Sequence, residues 1–317
     1  MAKQTKAYLA LVFICIVWGT TYLAIRIGVM HYPALLFAGI RQTIAGIVLA
    51  SLAMVVNKQF DFSFKNIRRQ MLIGFLMLTI GNGCVTWGEK FVPSGIAALI
   101  CSMMPIFAVM FNLILTKNEK FNITTGVGMI LGTCGVGLIF RQDLSQLNNP
   151  AYLVGIFAVL FATASWAIGS IINKKNVNPV NPFLNAGMQL FFGGVFMLIG
   201  CPFIDDFHNF KAFDRDGLFA LVYLIVFGSI LAYAAYMYAL SKLPVGIATI
   251  YAYINPLVAV VLGYLALHEP MNLYTGLSFI TIVLGVYLVN LGYRKQQKSK
   301  IANTSIDTFP EVFPIES

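Results

Sequence analysis

ALLFAGIRQTIAGIVLASLAMVV, residues 34–56, is an unbroken apolar run in which only one side chain, Arg41, carries a charge. Wound as a helix rising ~1.5 Å per residue, it is long enough to cross the ~30 Å hydrocarbon core of a bilayer. The rest of the chain has the same character. Apolar residues make up 59% of its 317 residues and charged residues 10%, with a mean hydropathy of +0.81. A soluble domain must keep a wet exterior and cannot hide that much apolar surface. The chain therefore reads as an all-α integral membrane protein. Every Asp and Glu is placed outside the apolar runs, with Arg41 alone inside one.

Cutting the sequence at its charged and Pro/Asn-rich breaks gives ten such stretches. They lie near residues 7–25, 34–56, 70–88, 93–116 and 123–140, then 151–172, 183–204, 217–240, 243–266 and 273–293. The runs are too long for barrel strands and lack their in/out alternation. The first run follows Lys3 and Lys6 but has spanning length, contains Trp18 and Tyr22, and shows no small-residue cleavage signature, so it reads as a retained helix. Placing both termini in the cytoplasm puts 15 Lys and Arg residues on that side and 5 on the other, as the positive-inside bias expects. The net charge of +9 is then topological, and no loop is long enough to present a folded basic surface to nucleic acid. Basic groups beside the membrane favour anionic lipid headgroups. Residues 294–317 turn basic, then polar and acidic, and read as a flexible cytoplasmic tail. The five cysteines all fall in apolar runs, without a CxxC pair, and indicate neither disulfides nor a metal site.

The two halves, 7–140 and 151–293, match each other. Trp18 aligns with Trp166, Arg41 with Gln189 and Gly46 with Gly194, all at an offset of 148. Pro93, Gly95 and Pro105 align with Pro244, Gly246 and Pro256, and Glu119, Gly126 and Gly135 with Glu269, Gly276 and Gly285. Five helices per half is an odd number, so the second copy enters the membrane inverted. Inverted repeats give two related states, one open to each side, with substrate held between them near the midplane. Pro105 and Pro256 remove backbone donors at matched depths; they are hinge candidates or shape a cavity.

Three stretches together resemble a known family: RIGVMHYPALLFAGIRQTIAG (26–46), WGEKFVPSGIAALICSMMP (87–105) and LYTGLSFITIVLGVYLV (273–289). They are similar to the EamA-like branch of the drug/metabolite transporter superfamily, over about residues 7–293. The resemblance implies ten transmembrane helices in two inverted five-helix repeats around a central cavity, and export of amino acids and other small metabolites. The family's second-helix arginine matches Arg41, its Pro-x-Gly turns match Pro93–Gly95 and Pro244–Gly246, and its glutamates match Glu119 and Glu269. Gln42 stands where most members carry an apolar residue or Phe. A bacterial cytoplasmic (inner) membrane, a small-molecule substrate and a possible homodimer are the corresponding expectations.

Polar groups inside the runs are the candidates for the cavity. Arg41, about seven residues into its run, costs ~2.5–3.5 kcal/mol by insertion scales unless it finds partners. It is either an anchor for a substrate carboxylate or a clamp on neighbouring helices. Trp18 and Trp166 repeat and are cavity-wall candidates, with Asn82, Asn112, Gln189, Tyr233 and Asn255 beside them. Trp87 and Tyr22 read as interfacial rings. Glu119 and Glu269 read as caps at helix starts, and Glu89 with Lys90 as a solvated turn. No phosphate loop, HExxH or grouped Ser/His/Asp set occurs, so the chain does not read as an enzyme and no cofactor is implied. A carrier exporting zwitterionic or anionic metabolites is the main expectation; a passive channel or a receptor is the alternative.

Overall fold

The computed structural model describes residues 2–56, 60–115, 122–142, 149–175, 181–208, 214–243, 251–269 and 271–306. All regular structure among the described residues is helical. In chain order the helices are α1 (Ala2–His31), α2 (Ala34–Val56), α3 (Phe64–Gly74), α4 (Gly83–Gly88), α5 (Ser94–Cys101), α6 (Met104–Leu115) and α7 (Ile123–Gln142). They continue as α8 (Pro150–Lys175), α9 (Pro182–Ile204), α10 (Arg215–Tyr223), α11 (Ala232–Lys242), α12 (Tyr251–Leu267) and α13 (Leu273–Ile306). Two π-helical turns, Phe75–Asn82 and Leu224–Leu231, join α3 to α4 and α10 to α11 into single long helices. Among the described residues, seven helices are long and apolar enough to cross a membrane, and Ile123–Gly135, Ile254–Leu267 and Leu273–Val289 are shorter apolar helices. Side chains such as Leu9, Phe161 and Phe203 point outward, as a lipid-facing surface requires. The segment from 294, expected as a flexible tail, instead continues as helix to Ile306. Its Arg, Lys and Gln side chains are good helix formers, and no Gly or Pro interrupts them there.

Side-chain acceptors fix where helices begin. Ser63 accepts from the Asn66 amide (3.3 Å), Asn181 from Leu184 (3.0 Å) ahead of Pro182, and Asp214 from Gly217 (2.9 Å). Two caps come from distant chain. Asp205, after α9, accepts from the Leu35 and Leu36 amides at the start of α2 (3.1 and 2.8 Å). Glu269, expected to cap the helix it precedes, reaches α5 instead: it accepts from the Ser94 amide (2.9 Å), the Ser94 hydroxyl (2.8 Å) and the Gly95 amide (3.3 Å). Each cap satisfies amides that a helix start leaves open, and puts a carboxylate at the positive end of the helix dipole.

Glycines set the two tightest crossings. A methyl group on Gly46 of α2 would lie 2.3 Å from the Phe191 nitrogen and 2.8 Å from the Gly187 oxygen of α9. One on Gly194 would lie 2.4 Å from the Thr43 nitrogen and 2.9 Å from the Gly39 oxygen. Between α7 and α13, Gly285 faces the Gly132 nitrogen and Gly128 oxygen (2.5 and 2.7 Å), while Gly135 faces the Ile282 nitrogen and Ser278 oxygen (3.0 and 3.2 Å). Small residues let backbones touch, which is how helices gain packing energy where lipid removes the hydrophobic drive.

The fourth apolar stretch is broken at Ser102–Met103, between α5 and α6. Pro105, one residue into α6, has no N–H for the Cys101 carbonyl, and the chain tightens into short turns: Met103 N–H to Ile100 (3.0 Å) and Ile106 N–H to Met103 (2.9 Å). Pro256 lies inside α12. Both π turns border the same internal space, Leu78, Gly81 and Asn82 from one, Gly228 and Ser229 from the other. A π turn inserts an extra residue and re-aims the side chains that follow it.

Candidate functional site

A cavity of about 110 Å³ lies between the helices, room for roughly four water molecules at their liquid volume. Arg41 forms its charged corner. Only 3% of the residue is exposed, and its Nη2 donates to Asn82 Oδ1. The same oxygen accepts from Gln42 Nε2 (3.2 Å), and Gln42 Oε1 accepts from the Ser229 hydroxyl (3.0 Å). The Asn82 side-chain oxygen, at the end of the first π turn, thus ties α2 to one π-containing helix, and Gln42 Oε1 ties it to the other. Arg41 Nε has no partner, although it is buried. A guanidinium carries five donors in a fixed fork, so this corner retains capacity for a carboxylate. Among the described residues, none that lines the cavity is an Asp or Glu.

Aromatic rings form the other side. Trp18 sits edge-on to Trp166 (centroids 6.1 Å, 90°) and against Tyr236 and Tyr251 (5.1 and 4.9 Å). Its Nε1 donates to the Gly228 carbonyl of the second π turn (3.0 Å), which fixes the ring. Trp166 Nε1 is buried without an acceptor at hydrogen-bonding distance. Asn255 is held by its amide nitrogen, oriented to donate to the Tyr251 and Cys15 carbonyls (3.0 Å each).

Of the residues singled out in the sequence, Trp18, Arg41, Asn82, Trp166, Tyr233 and Asn255 line the cavity together. The Asn112 and Pro105 side chains lie outside the described residues. Gln189 does not line it. It is fully buried in a polar cluster, its Nε2 donating to Gln70 (2.6 Å) and Asn173 (3.4 Å) and its Oε1 accepting from Tyr233 (2.6 Å). Those partners satisfy Gln189 inside the helix bundle, with nothing left for a guest. Tyr22, expected at an interface, faces the cavity with Thr21, Cys101, Ser102 and Thr163. The hydroxyls and thiol were missed because small polar side chains are common on packed helix faces. The i, i+3 spacing of Thr163 and Trp166 was the available signal. The five cysteines are all free.

Glu89 overturns another expectation. Placed in a solvated turn by its sequence, it is 0% exposed. The turn folds inward because Gly88 and Gly155 of α8 approach closely, with Phe91 and Val92 covering the gap. The Glu89 amide donates to Val85 (2.9 Å) and Arg26 Nη1 donates to the Glu89 carbonyl, but neither carboxyl oxygen has a partner. A carboxyl is therefore buried beside the spans.

The sequence matches the EamA-like transporter family twice, over residues 5–141 and 153–291. The chain belongs to this family. The uncharacterized inner membrane transporter YedA of Escherichia coli K12 is 34% identical over 286 residues, covering 89% of this chain and 90% of its own. The uncharacterized transporters YoaV and YvbV of Bacillus subtilis are 23% and 26% identical, over 93% and 94% of this chain. A solved crystal structure superposes with a TM-score of 0.64 at 17% identity, covering 92% of this chain and 99% of the other, and shares its fold. This EamA-like protein is thus a membrane protein of a transporter family.

Proposed function

We propose that this protein is a secondary carrier that exports small zwitterionic or anionic metabolites, amino acids among them, by alternating access between two inverted five-helix repeats. The observation that carries the substrate class is the charge of the cavity. Arg41 brings a buried, incompletely bonded guanidinium, and among the described residues no lining carboxylate neutralises it. At ~4 Å and an effective dielectric near 20, a substrate carboxylate gains about 4 kcal/mol of attraction before desolvation, and a cation is repelled by as much.

Support for the inverted arrangement comes from reciprocal contacts. Gly46 meets Phe191 and Gly187, while Gly194 meets Thr43 and Gly39; adding 148 to 46, 43 and 39 gives 194, 191 and 187. Such an exchange of partners is what a two-fold axis between matched helices produces. The α7/α13 crossing exchanges partners in the same way at an offset of 150. The two π turns, each of eight residues, occupy matching places in the two halves. The inner membrane named for YedA is the corresponding location, with both termini on the cytoplasmic side.

The test is counterflow in proteoliposomes, with a panel of labelled amino acids loaded against unlabelled ones. Saturable exchange is expected, and a channel gives no trans-stimulation. Losing a charge-assisted bidentate contact worth ~1.5–3 kcal/mol weakens apparent affinity roughly 10- to 150-fold in Arg41→Gln. Arg41→Lys, which keeps charge but not the fork, falls between. Robust transport of a quaternary ammonium dye, undiminished in Arg41→Gln, removes the electrostatic argument.

A further inference from the structure

Glu89 is buried just beyond the cavity wall and is not itself one of the lining residues. Its turn joins the spans Phe64–Gly88 and Ser94–Phe111, and Val85, one helical turn before it, lines the cavity. The charged and titratable groups around it come from four directions. Tyr22 and Arg26 face it from α1, Arg41 from α2, Cys101 from α5, and Glu269 from the segment before α13. On α8, Gly155, Ala158 and Val159 lie against Gly88, the residue before Glu89, and Tyr152 packs in the same cluster as Val92. None of these groups bonds the carboxyl. Arg26 donates to the backbone carbonyl, Arg41 to Asn82, and Glu269 accepts from the start of α5. Lys90, next in sequence, lies over the Phe91 ring at 5.9 Å.

A carboxylate buried with both oxygens unpaired is costly enough that such a group takes a proton instead. Burial first, and the Glu269 carboxylate second, push the Glu89 carboxyl well above the usual carboxylate range, against the smaller pull of Arg26 and Arg41. Water reaching this end changes the balance, because a hydrated carboxyl ionises near its ordinary value of ~4.3.

We propose that Glu89 is a proton-binding site of the carrier, protonated while its end of the cavity is closed and ionised when that end opens. This deepens the carrier reading and rests on it. On opening, the O–H bond at Glu89 breaks and the proton passes to water as hydronium. On closing, hydronium returns a proton to a Glu89 oxygen and leaves water. Each closure of this end therefore takes up one proton, and the proton is a second ligand of the transport cycle. The sign follows from linkage. The closed state holds the raised value, so it is favoured at low pH and loses that advantage as pH rises through it.

The test needs no substrate. Full-length protein in lipid nanodiscs is titrated by infrared spectroscopy, comparing wild type, Glu89→Gln and Glu269→Gln. The expected result is a protonated-carboxyl C=O band that persists at pH values well above the usual carboxylate range, titrates away as pH rises further, is lost in Glu89→Gln and persists in Glu269→Gln. In parallel, maleimide labelling of native Cys101, which lines the cavity, is followed by peptide mass spectrometry. The ratio of wild type to Glu89→Gln is expected to rise with pH by up to about tenfold per unit, the limit for one linked proton. A carboxylate beside the thiol slows labelling, so that rise cannot come from thiol chemistry. Glu89→Ala replaces Glu89→Gln where the amide variant does not elute as a single species. Absence of the band, or its survival in the Glu89 variants, overturns the proposal. A band with pH-independent labelling also overturns it, leaving a structural acid. Failure of counterflow with both signals intact instead sinks the carrier reading and leaves the proton site standing.

Discussion

Replacing Gly46 with alanine adds one methyl group where α2 crosses α9, 2.3 Å from the Phe191 nitrogen and 2.6 Å from its Cα. Carbon and nitrogen rest at roughly 3.5 Å, so the two backbones must part by about 1 Å. Overpacking of this kind costs ~1–3 kcal/mol, and alanine's better helix propensity returns ~1 kcal/mol. The control is Gly200, on α9, where a methyl group meets nothing within 4 Å and only the propensity gain remains. Gly200→Ala should therefore be neutral to ~1 kcal/mol more stable, and Gly46→Ala destabilised by up to ~2 kcal/mol, so that it ranks below Gly200→Ala. Gly194→Ala should match Gly46→Ala, since its methyl group meets the Thr43 nitrogen at 2.4 Å. Because one wedge opens the gap that the other would need, the double substitution should cost less than the sum of the two. Thermal unfolding of purified protein in one detergent, read by tryptophan fluorescence, ranks the variants. Equal stability of Gly46→Ala and Gly200→Ala would show that these backbones are not in contact, and the reciprocal-contact argument for a two-fold axis would go with it.

Asn82→Leu removes the acceptor shared by Arg41 and Gln42, leaving two buried donors unpaired, at a cost of ~2–4 kcal/mol. Its midpoint in the same unfolding assay should fall well below that of Thr133→Ala, an exposed hydroxyl bonded to its own helix at Met129 (2.9 Å). For topology, cysteine introduced at Ser63 should label from the cytoplasmic side only and at His208 from the opposite side only; labelling of both from one face would refute the charge-based orientation.

The parts of the fold legible in the sequence are those a bilayer dictates locally. A run such as 34–56 has spanning length whatever packs against it, and the places where helices start could be read from Asn181–Pro182 or Asp214. Cavity residues were legible where the side chain is conspicuous in lipid, as Arg41 and the repeating Trp18 and Trp166 are. What failed depended on partners remote in sequence. Gln189 looked like a free polar group because nothing in its own helix announces Gln70 and Asn173. Glu269 looked like a local cap because α5, whose amides it takes, lies 174 and 175 residues away. Glu89 looked solvated because only the folded chain brings Gly155 against Gly88. The π turns left no readable pattern, since an extra residue in a helix changes hydrogen bonds without changing composition.

A guanidinium and a carboxyl, Arg41 and Glu89, each with unused bonding capacity, lie near each other in this protein and do not pair. Had Glu89 met the free Nε of Arg41, a buried ion pair would satisfy both groups. The cavity would then lose its net attraction for a carboxylate, and a paired Glu89 would be held ionised in every state. Instead Asn82 holds Arg41 toward the cavity, while the turn after α4 carries Glu89 past its end. Separation preserves two independent capacities, an anion site on one side and an acid that titrates on the other, coupled only through the field between them. Loading the Arg41 corner with a carboxylate should therefore raise the Glu89 titration midpoint further, and a protonated Glu89 should in turn favour that occupant.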